Sequence, residues 1–444
     1  MIFGTSGARG FIDKNLTPSL VYKLTVAYYY FAKPSSVVLG QDDRPQSTVL
    51  KDAVESALLA MGVDVYDAGV SPTPGTVRLM KELHANGAIS ITGSHTPPYI
   101  AGVLYFLKDT GELGVKDSQR VESIYYRIKE RPKSWRRLGR KEVLSDPVSI
   151  YVGSIKRDVG RLHPYRIVLD AANGAISAFA KGVFEDLGIQ AEIVNGSPLG
   201  SFPSRLPSPI PQHLEGFRRM VREMKTDFGV ATDSDGDRAI FINGEGQIIL
   251  GDTAGAYFAE RALTQKGSVV TPINSSDSII IVARRHRARI IWTRVGPPAI
   301  VDALRKHREA VFAFEESGKY IWPGILLYGD AVFSTLKAME DGDFERNIGR
   351  VPRFYVVKRE VRSSDEIKYR AVESVDAKLN VKKIKKDGIK AFFGSHRWLL
   401  IRASGTEPVI RVFGHSRIRR DAEEIAAKGV EMVREAKRAL SASE

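Results

Sequence analysis

Residues 231–239 read ATDSDGDRA, setting Asp233, Asp235 and Asp237 at alternate positions with Gly236 among them. Alternate residues of an extended chain face the same way, so the three carboxylates converge if the glycine permits a tight turn. Converged carboxylates repel one another and resist leaving water, and a hard cation such as Mg²⁺ or Ca²⁺ relieves both problems. An EF-hand loop is disfavoured: it carries glycine at position six, whereas Gly236 stands at position four. A second reading makes Asp233 the nucleophile of an Asp-x-Asp-Gly-Thr phosphatase loop, a partial match because Asp237 occupies the Thr place. A solvated acidic turn is the bland alternative. The apolar run before the triplet and RAIFI after it argue against that and for a metal site.

Three further stretches carry chemistry. ITGSHTPPY (91–99) puts Ser94 in a polar loop after a strand, between Gly93 and Pro97-Pro98. Ser94 and His95 are not a nucleophile–base pair merely by adjacency, since neighbouring side chains on extended backbone diverge; alone, the stretch reads as an ordinary loop. FEESGKY (314–320) sets Glu315 and Glu316 beside Ser317, a composition that suits metals, cations or sugar hydroxyls and equally a solvated turn. IRASGTEPVIR (401–411) surrounds a Ser404-Gly405-Thr406 turn with Arg402 and Arg411. Hydroxyls, backbone N–H groups and guanidiniums compose an anion nest, with a simple turn as the alternative.

These loops need elements to hold them. SSVVLGQD (35–42), GAISIT (87–92), YRIVLD (165–170), DFGVATD (227–233), GSVVTPI (267–273) and RIIWTRVG (289–296) read as strands. STVLKDAVESALLAMG (47–62) and ISAFAKGVFEDLG (176–188) read as helices. Strand–helix alternation predicts α/β layers with largely parallel sheets, and ligand loops at the carboxyl ends of strands. The chain's 444 residues are too many for one ordinary core. Breaks are expected in the basic stretch 131–147, after 239–247 and at 349–353; beyond them RWLLIRASG, EPVIRVFG and a helix over 420–440 make a small α+β unit. The proline-rich stretch 197–214 reads as a rigid surface loop.

The formal charge is +14, with Lys/Arg clusters at 131–137, 283–289, 381–386 and 416–420. They are dispersed, mixed with acids and lack stacking aromatics, so solvated faces and attraction of small anions are expected rather than nucleic-acid binding. No apolar run is long enough to span a membrane, and the start lacks the order of a signal peptide. Zero cysteines exclude disulfides, thiolate metal sites and a cysteine nucleophile, and fit a cytoplasmic protein.

Taken together and in order, the four loops resemble those of the α-D-phosphohexomutase superfamily of phosphoglucomutases, phosphomannomutases and phosphoglucosamine mutases. FGTSGARG (3–10), GQDDRPQS (40–47), FPSRLPSPIPQHL (202–214) and TRVG (293–296) are similar to further family segments, so the likeness covers nearly the whole chain. It implies four domains near 1–145, 146–245, 246–350 and 351–444, three related α/β units and an α+β cap, with the active cleft where they meet. It implies an isomerase that moves a phosphoryl group between C1 and C6 of a hexose through a phosphoserine and a hexose 1,6-bisphosphate intermediate. Ser94 would carry the phosphoryl group, which completes a Mg²⁺ site with Asp233, Asp235 and Asp237. His95, Arg9 and Lys319 would assist catalysis. Arg238, Glu315 and Ser317 would bind the sugar phosphate, and Arg402, Ser404, Gly405, Thr406 and Arg411 would grip its non-reacting phosphate. The expected substrates are mannose and glucose phosphates, with phosphoglucosamine mutase or a weakly active phosphosugar-binding relative as the alternatives, in a monomer or homodimer.

Four positions depart from the family pattern. Thr96 replaces an Asn, Leu104 stands where the family has a proton-transferring lysine, and the sugar loop carries Phe314 and Lys319 where Gly and His are usual. Lys319 is the expected substitute for the missing amine.

Overall fold

A computed structural model of the chain describes residues 2–4, 6–263, 267–405 and 407–441. Four sheets follow one another along the sequence. In the first, the spatial order is Ala8–Gly10, Ala101–Leu107, Gly87–Ile91, Ser36–Gln41, Asp64–Val70 and Lys141–Val143. The second runs Ile248–Ile249, Ala239–Asn243, Phe228–Thr232, Arg166–Asp170 and Gln190–Val194. The third runs Arg289–Thr293, Ser268–Pro272, Ala310–Phe314 and Tyr320–Ile321. The fourth is antiparallel: Tyr355–Arg362, Val409–Ser416, Trp398–Ala403, Ile389–Phe392 and Lys383–Ile384.

The first three sheets share one plan. Two consecutive parallel strands lie side by side, a third parallel strand joins the outer flank of the first, and an antiparallel return strand covers that third strand. The sheets are therefore mixed rather than largely parallel. The reason lies in the loops. Gly87–Ile91 returns as Ala101–Leu107, Phe228–Thr232 as Ala239–Asn243, and Ala310–Phe314 as Tyr320–Ile321. Each connection is short, and antiparallel pairing is what a short connection allows, whereas a parallel partner needs a long crossover. All three connections are the loops that carry Ser94, the Asp triplet and Glu315. The fourth loop, 404–408, is likewise a hairpin between Trp398–Ala403 and Val409–Ser416.

Pro45–Ala60, Ile176–Asp186 and Arg419–Ser441 lie close to the helices expected over 47–62, 176–188 and 420–440, and local signals start and cap these and other helices. Pro45 and Pro18 occupy first-turn positions of Pro45–Ala60 and Pro18–Ala32, where a missing N–H costs nothing. Asp330 caps Ala331–Met339 by accepting from the Phe333 N–H at 3.0 Å. The cores of the second and third sheets are continuous, joining Phe228 and Phe241 to Phe258, Phe312 and Phe344. The proline-rich loop packs inward at one point: Phe202 is buried, and the Arg44 guanidinium lies 4.6 Å from its ring centre. No described helix is long and apolar enough to cross a membrane.

Candidate active site

Ser94 sits at the tip of the first hairpin with φ of +51°, a left-handed conformation that a non-glycine residue adopts only when its surroundings enforce it. Those surroundings form a buried polar lattice. Asp42 pairs with Arg44 and accepts from the Thr92 hydroxyl at 2.7 Å and the Ser47 hydroxyl at 2.5 Å. Thr92 Oγ1 in turn accepts from the Ser94 N–H at 2.8 Å. The Ser94 carbonyl accepts from Arg44 at 2.8 Å and from the Ser234 hydroxyl at 2.9 Å. The Ser234 contact ties the serine hairpin directly to the Asp hairpin.

Asp233, Asp235 and Asp237 are buried, and one oxygen from each lies within 4.8 Å of the other two. Their outer oxygens are satisfied. Asp233 Oδ1 accepts from the backbone of Asp237 and Arg238, each at 3.1 Å. Asp235 Oδ2 accepts from the Thr73 hydroxyl at 2.9 Å. Asp237 Oδ2 accepts from Tyr328 at 2.6 Å and from Lys319 Nζ at 2.7 Å. The other oxygen of each (Asp233 Oδ2, Asp235 Oδ1, Asp237 Oδ1) is buried with no hydrogen-bond partner. Arg238 Nε stands 3.5 and 3.6 Å from two of them. Three orphaned, convergent carboxylate oxygens fit a hard divalent cation.

The electrostatics agree with that geometry. Burial, then the charges of Asp237 and Asp235, push Asp233 well above the usual carboxylate range, and burial and Asp237 raise Asp235, against the pull of the Ser94 hydroxyl. Burial also opposes charge on Asp237, but Lys319 and Arg238 overcome it and hold that carboxyl at about 2. His95 Nδ1 lies 3.2 Å from Ser94 Oγ. Burial, with Arg238, Arg9, Lys319 and Arg44 around it, pushes the imidazole well below its ordinary value, so it is neutral near pH 7.

In front of this floor opens a cleft of about 790 Å³. It is lined by Arg9, His95, Arg238, Glu315, Ser317, Arg402, Gly405 and Arg411, so residues from five separate segments of the chain share one cavity. Ser317 Oγ and Arg9 Nε are buried without partners. Burial raises the Glu315 carboxyl despite Lys319 and Arg238. Ser404 is buried behind the lining and shapes its turn, accepting from the Glu407 N–H at 3.2 Å. Thr406 lies outside the described residues. Lys319 is buried below the cleft rather than in its wall, and its ammonium lies 4.1 Å from the Tyr328 ring centre. Leu104 packs in the same apolar cluster as Tyr328.

The chain matches, in order, the phosphoglucomutase/phosphomannomutase α/β/α domains I (residues 1–132), II (149–246) and III (250–341), and the C-terminal domain (357–432). It belongs to the phosphoglucomutase/phosphomannomutase family. As a phosphohexomutase it is an isomerase. It is 33% identical to a phosphoglucomutase/phosphomannomutase of Thermococcus kodakarensis, over 98% of this chain and 99% of the relative. It is 32% identical to a phosphoglucosamine/phosphogalactosamine mutase of Sulfurisphaera tokodaii, over 94% and 95% of the two chains. The fold matches a phosphoglucomutase/phosphomannomutase family protein of Burkholderia thailandensis at a TM-score of 0.85, with 22% identity and coverage of 98% and 97%. It also matches Aspergillus fumigatus N-acetylphosphoglucosamine mutase, solved with GlcNAc-6P and magnesium, at a TM-score of 0.61, with 14% identity and coverage of 98% and 96%.

Sequence reasoning gave no role to Asp42, Thr73, Glu112 or Tyr328 in this phosphohexomutase. Glu112 is buried, accepts from the Ser6 hydroxyl at 2.8 Å, and is pushed up to about 7 by burial against the opposing pull of Lys319. Only the Asp42–Arg44 pair left a trace, in the segment GQDDRPQS. Thr73 and Tyr328 are isolated polar residues whose partners lie far away in sequence.

Proposed function

We propose that this phosphohexomutase interconverts hexose 1-phosphate and hexose 6-phosphate through a phosphorylated Ser94, with mannose and glucose phosphates as its preferred substrates. The observation that carries the reading is a left-handed Ser94 hydrogen-bonded to the hairpin that bears three unpartnered carboxylate oxygens, next to a cleft ringed by arginines. In this reading Arg402, Arg411 and the 404–406 turn, including Thr406, grip the phosphate that does not react. Glu315 and Ser317 receive sugar hydroxyls, and Arg238 and Arg9 face the transferring group. The free sugar hydroxyl attacks the phosphorus: its O–P bond forms, the bond from phosphorus to Ser94 Oγ breaks, and the proton lost by the sugar hydroxyl is passed on to end on Ser94 Oγ. Neutral His95, whose Nδ1 lies 3.2 Å from Ser94 Oγ, is placed to accept the serine hydroxyl proton when Ser94 attacks in the return step, and that proton passes on to the departing sugar oxygen. The bisphosphate turns over, and its other phosphoryl group returns to Ser94. Asp233, Asp235 and Asp237 would hold Mg²⁺, which supplies charge neutralisation at the transferring phosphoryl group. Lys319 supplies positive charge where Leu104 cannot, which supports its role as the substitute amine. Unit boundaries near residues 145, 245 and 350 and a cytoplasmic location belong to the same proposal.

Phosphoglucosamine mutase activity is the second reading, favoured by the likeness to the Sulfurisphaera tokodaii enzyme. Phosphorus NMR separates the two. With Mg²⁺ and a hexose 1,6-bisphosphate present, mannose or glucose 1-phosphate should convert to the 6-phosphate faster than glucosamine 1-phosphate. The reverse order selects the second reading. Intact-protein mass spectrometry should find one removable phosphoryl group on Ser94, and finding it on Asp233 would sink both.

A further inference from the structure

The turn that precedes Ile389–Phe392 carries Asp387, whose carboxylate stands between two parts of the site. Its Oδ2 accepts from Arg402 Nε at 3.0 Å, within the fourth unit. The same oxygen accepts from the backbone N–H of Val295 at 2.9 Å, in the TRVG loop of the third unit. Beside it, Arg294 Nε donates to the Lys386 carbonyl at 3.2 Å, so the contact has two strands. Arg402 is 4% exposed and lines the cleft, so its orientation is decided by what holds its Nε. Gly388 fixes the approach. Its φ is +76°, and a Cβ there would lie 2.1 Å from the Ile401 carbonyl, so only glycine lets this turn lie against the strand that bears Arg402.

We propose that Asp387 is a positioning residue that couples phosphate binding to the seating of the fourth unit on the third. The proposal rests on the functional reading above, in which Arg402 meets the distal phosphate. With Nε committed to Asp387, the guanidinium offers its terminal nitrogens to an anion in a fixed plane, the geometry that two-pronged phosphate recognition requires. Because one oxygen serves both Arg402 and Val295, the arginine is aligned when the two units are seated and loses that alignment when they part. Phosphate bound at Arg402 thus favours the seated arrangement, and the seated arrangement favours phosphate.

The test uses the full-length Mg²⁺-loaded protein and the variants Asp387→Asn, Arg402→Ala and the double variant. Asparagine keeps an acceptor for the Val295 N–H but removes the charge that holds Arg402. Charge-assisted hydrogen bonds imply that Asp387→Asn weakens binding of inorganic phosphate, and raises KM for the sugar phosphate, by about tenfold or more. The melting temperature and kcat should change far less. In the Arg402→Ala background, Asp387→Asn should have little further effect. Asp387→Glu, which keeps the charge, should recover part of the loss. Unchanged phosphate affinity in Asp387→Asn, or an undiminished loss when Arg402 is already absent, overturns the proposal. Phosphate titration needs no turnover, so a protein that binds phosphate in this pattern yet isomerises no hexose phosphate overturns the functional reading alone.

Discussion

At the scale of single residues the site is a balance between buried charge and its partners. The triplet has a partnered and an orphaned side, and a divalent cation would complete the latter. Mg²⁺ should therefore raise the melting temperature by mass action on the folded state. Asp235→Asn removes one charge while keeping an acceptor for Thr73, so it should shrink that shift and slow turnover. A thermal shift equal to that of the parent protein would show that Asp235 is not a ligand. Lys319 is held charged: burial favours its neutral form, but Asp237, Glu112 and Glu315 raise it above the usual lysine value. At saturating Mg²⁺, Lys319→Ala should lower kcat more than it raises KM, the pattern of a charge that acts on the transition state. A change confined to KM would make Lys319 a binding residue.

At the scale of elements the recurring device is the hairpin. Four strand–loop–strand units bring their tips to one cleft, and the serine tip depends on backbone approaching backbone. Gly93 shows how tightly: a Cβ there would lie 2.3 Å from the Ile100 carbonyl and 2.8 Å from Arg44 Cζ. Neither neighbour yields cheaply, because the carbonyl belongs to the return of the same hairpin and Arg44 is bonded to the Ser94 and Thr96 carbonyls. Overpacking of this kind costs about 1–3 kcal/mol. Gly93→Ala should lower stability by that order in a denaturant titration and slow phosphorylation of Ser94. The Mg²⁺-dependent thermal shift should persist in reduced form, since the three carboxylates sit on another sheet but their hairpin is tied to the Ser94 carbonyl through Ser234.

At the scale of the whole molecule, buried polar groups join the units. Arg78, in the helix Thr73–Glu82 that follows strand Asp64–Val70, donates to Asp330 of the third unit at 2.8 Å and to Asp158 at 2.7 Å. Asp330 also accepts from Tyr151 at 2.9 Å. Arg78→Met should leave Asp330 buried without its cation, costing about 3–5 kcal/mol by chemical denaturation. The fourth unit docks on the third through Asp277, which accepts from Trp398 Nε1 at 3.0 Å and meets His396 at 2.8 Å. His415 is stacked on Trp398 at 4.5 Å, and its Nε2 accepts from the Asp277 N–H at 3.2 Å. Burial pushes this imidazole down to about 4, with Asp277 pulling the other way and Lys390 adding to the decrease. Between pH 6.5 and 4 the unfolded chain binds the proton and the folded one does not, so stability falls as the pH drops through that window. One such group contributes at most about 1.4 kcal/mol per pH unit. His415→Gln should show a shallower loss of melting temperature from pH 7 to 4 than the parent, and equal slopes would refute the assignment.

The chemistry of each loop was legible because it is local: three carboxylates at alternate positions, a serine after a strand, arginines around a Ser-Gly-Thr turn. Strands and helices followed approximately from apolar and amphipathic runs, and the resemblance to the family joined the four loops in order. What the sequence did not reveal is pairing at a distance. Thr73 reaches Asp235 across 162 positions, and Asp387 reaches Val295 across 92. Lys319 was named as a cation for the site, yet that it arrives from beneath through Asp237 emerged only from packing. Spacing along the chain fixes which atoms share a loop. Which loops meet is decided by the burial of helices and sheets against one another, and a buried carboxylate accepts whichever distant donor that packing delivers.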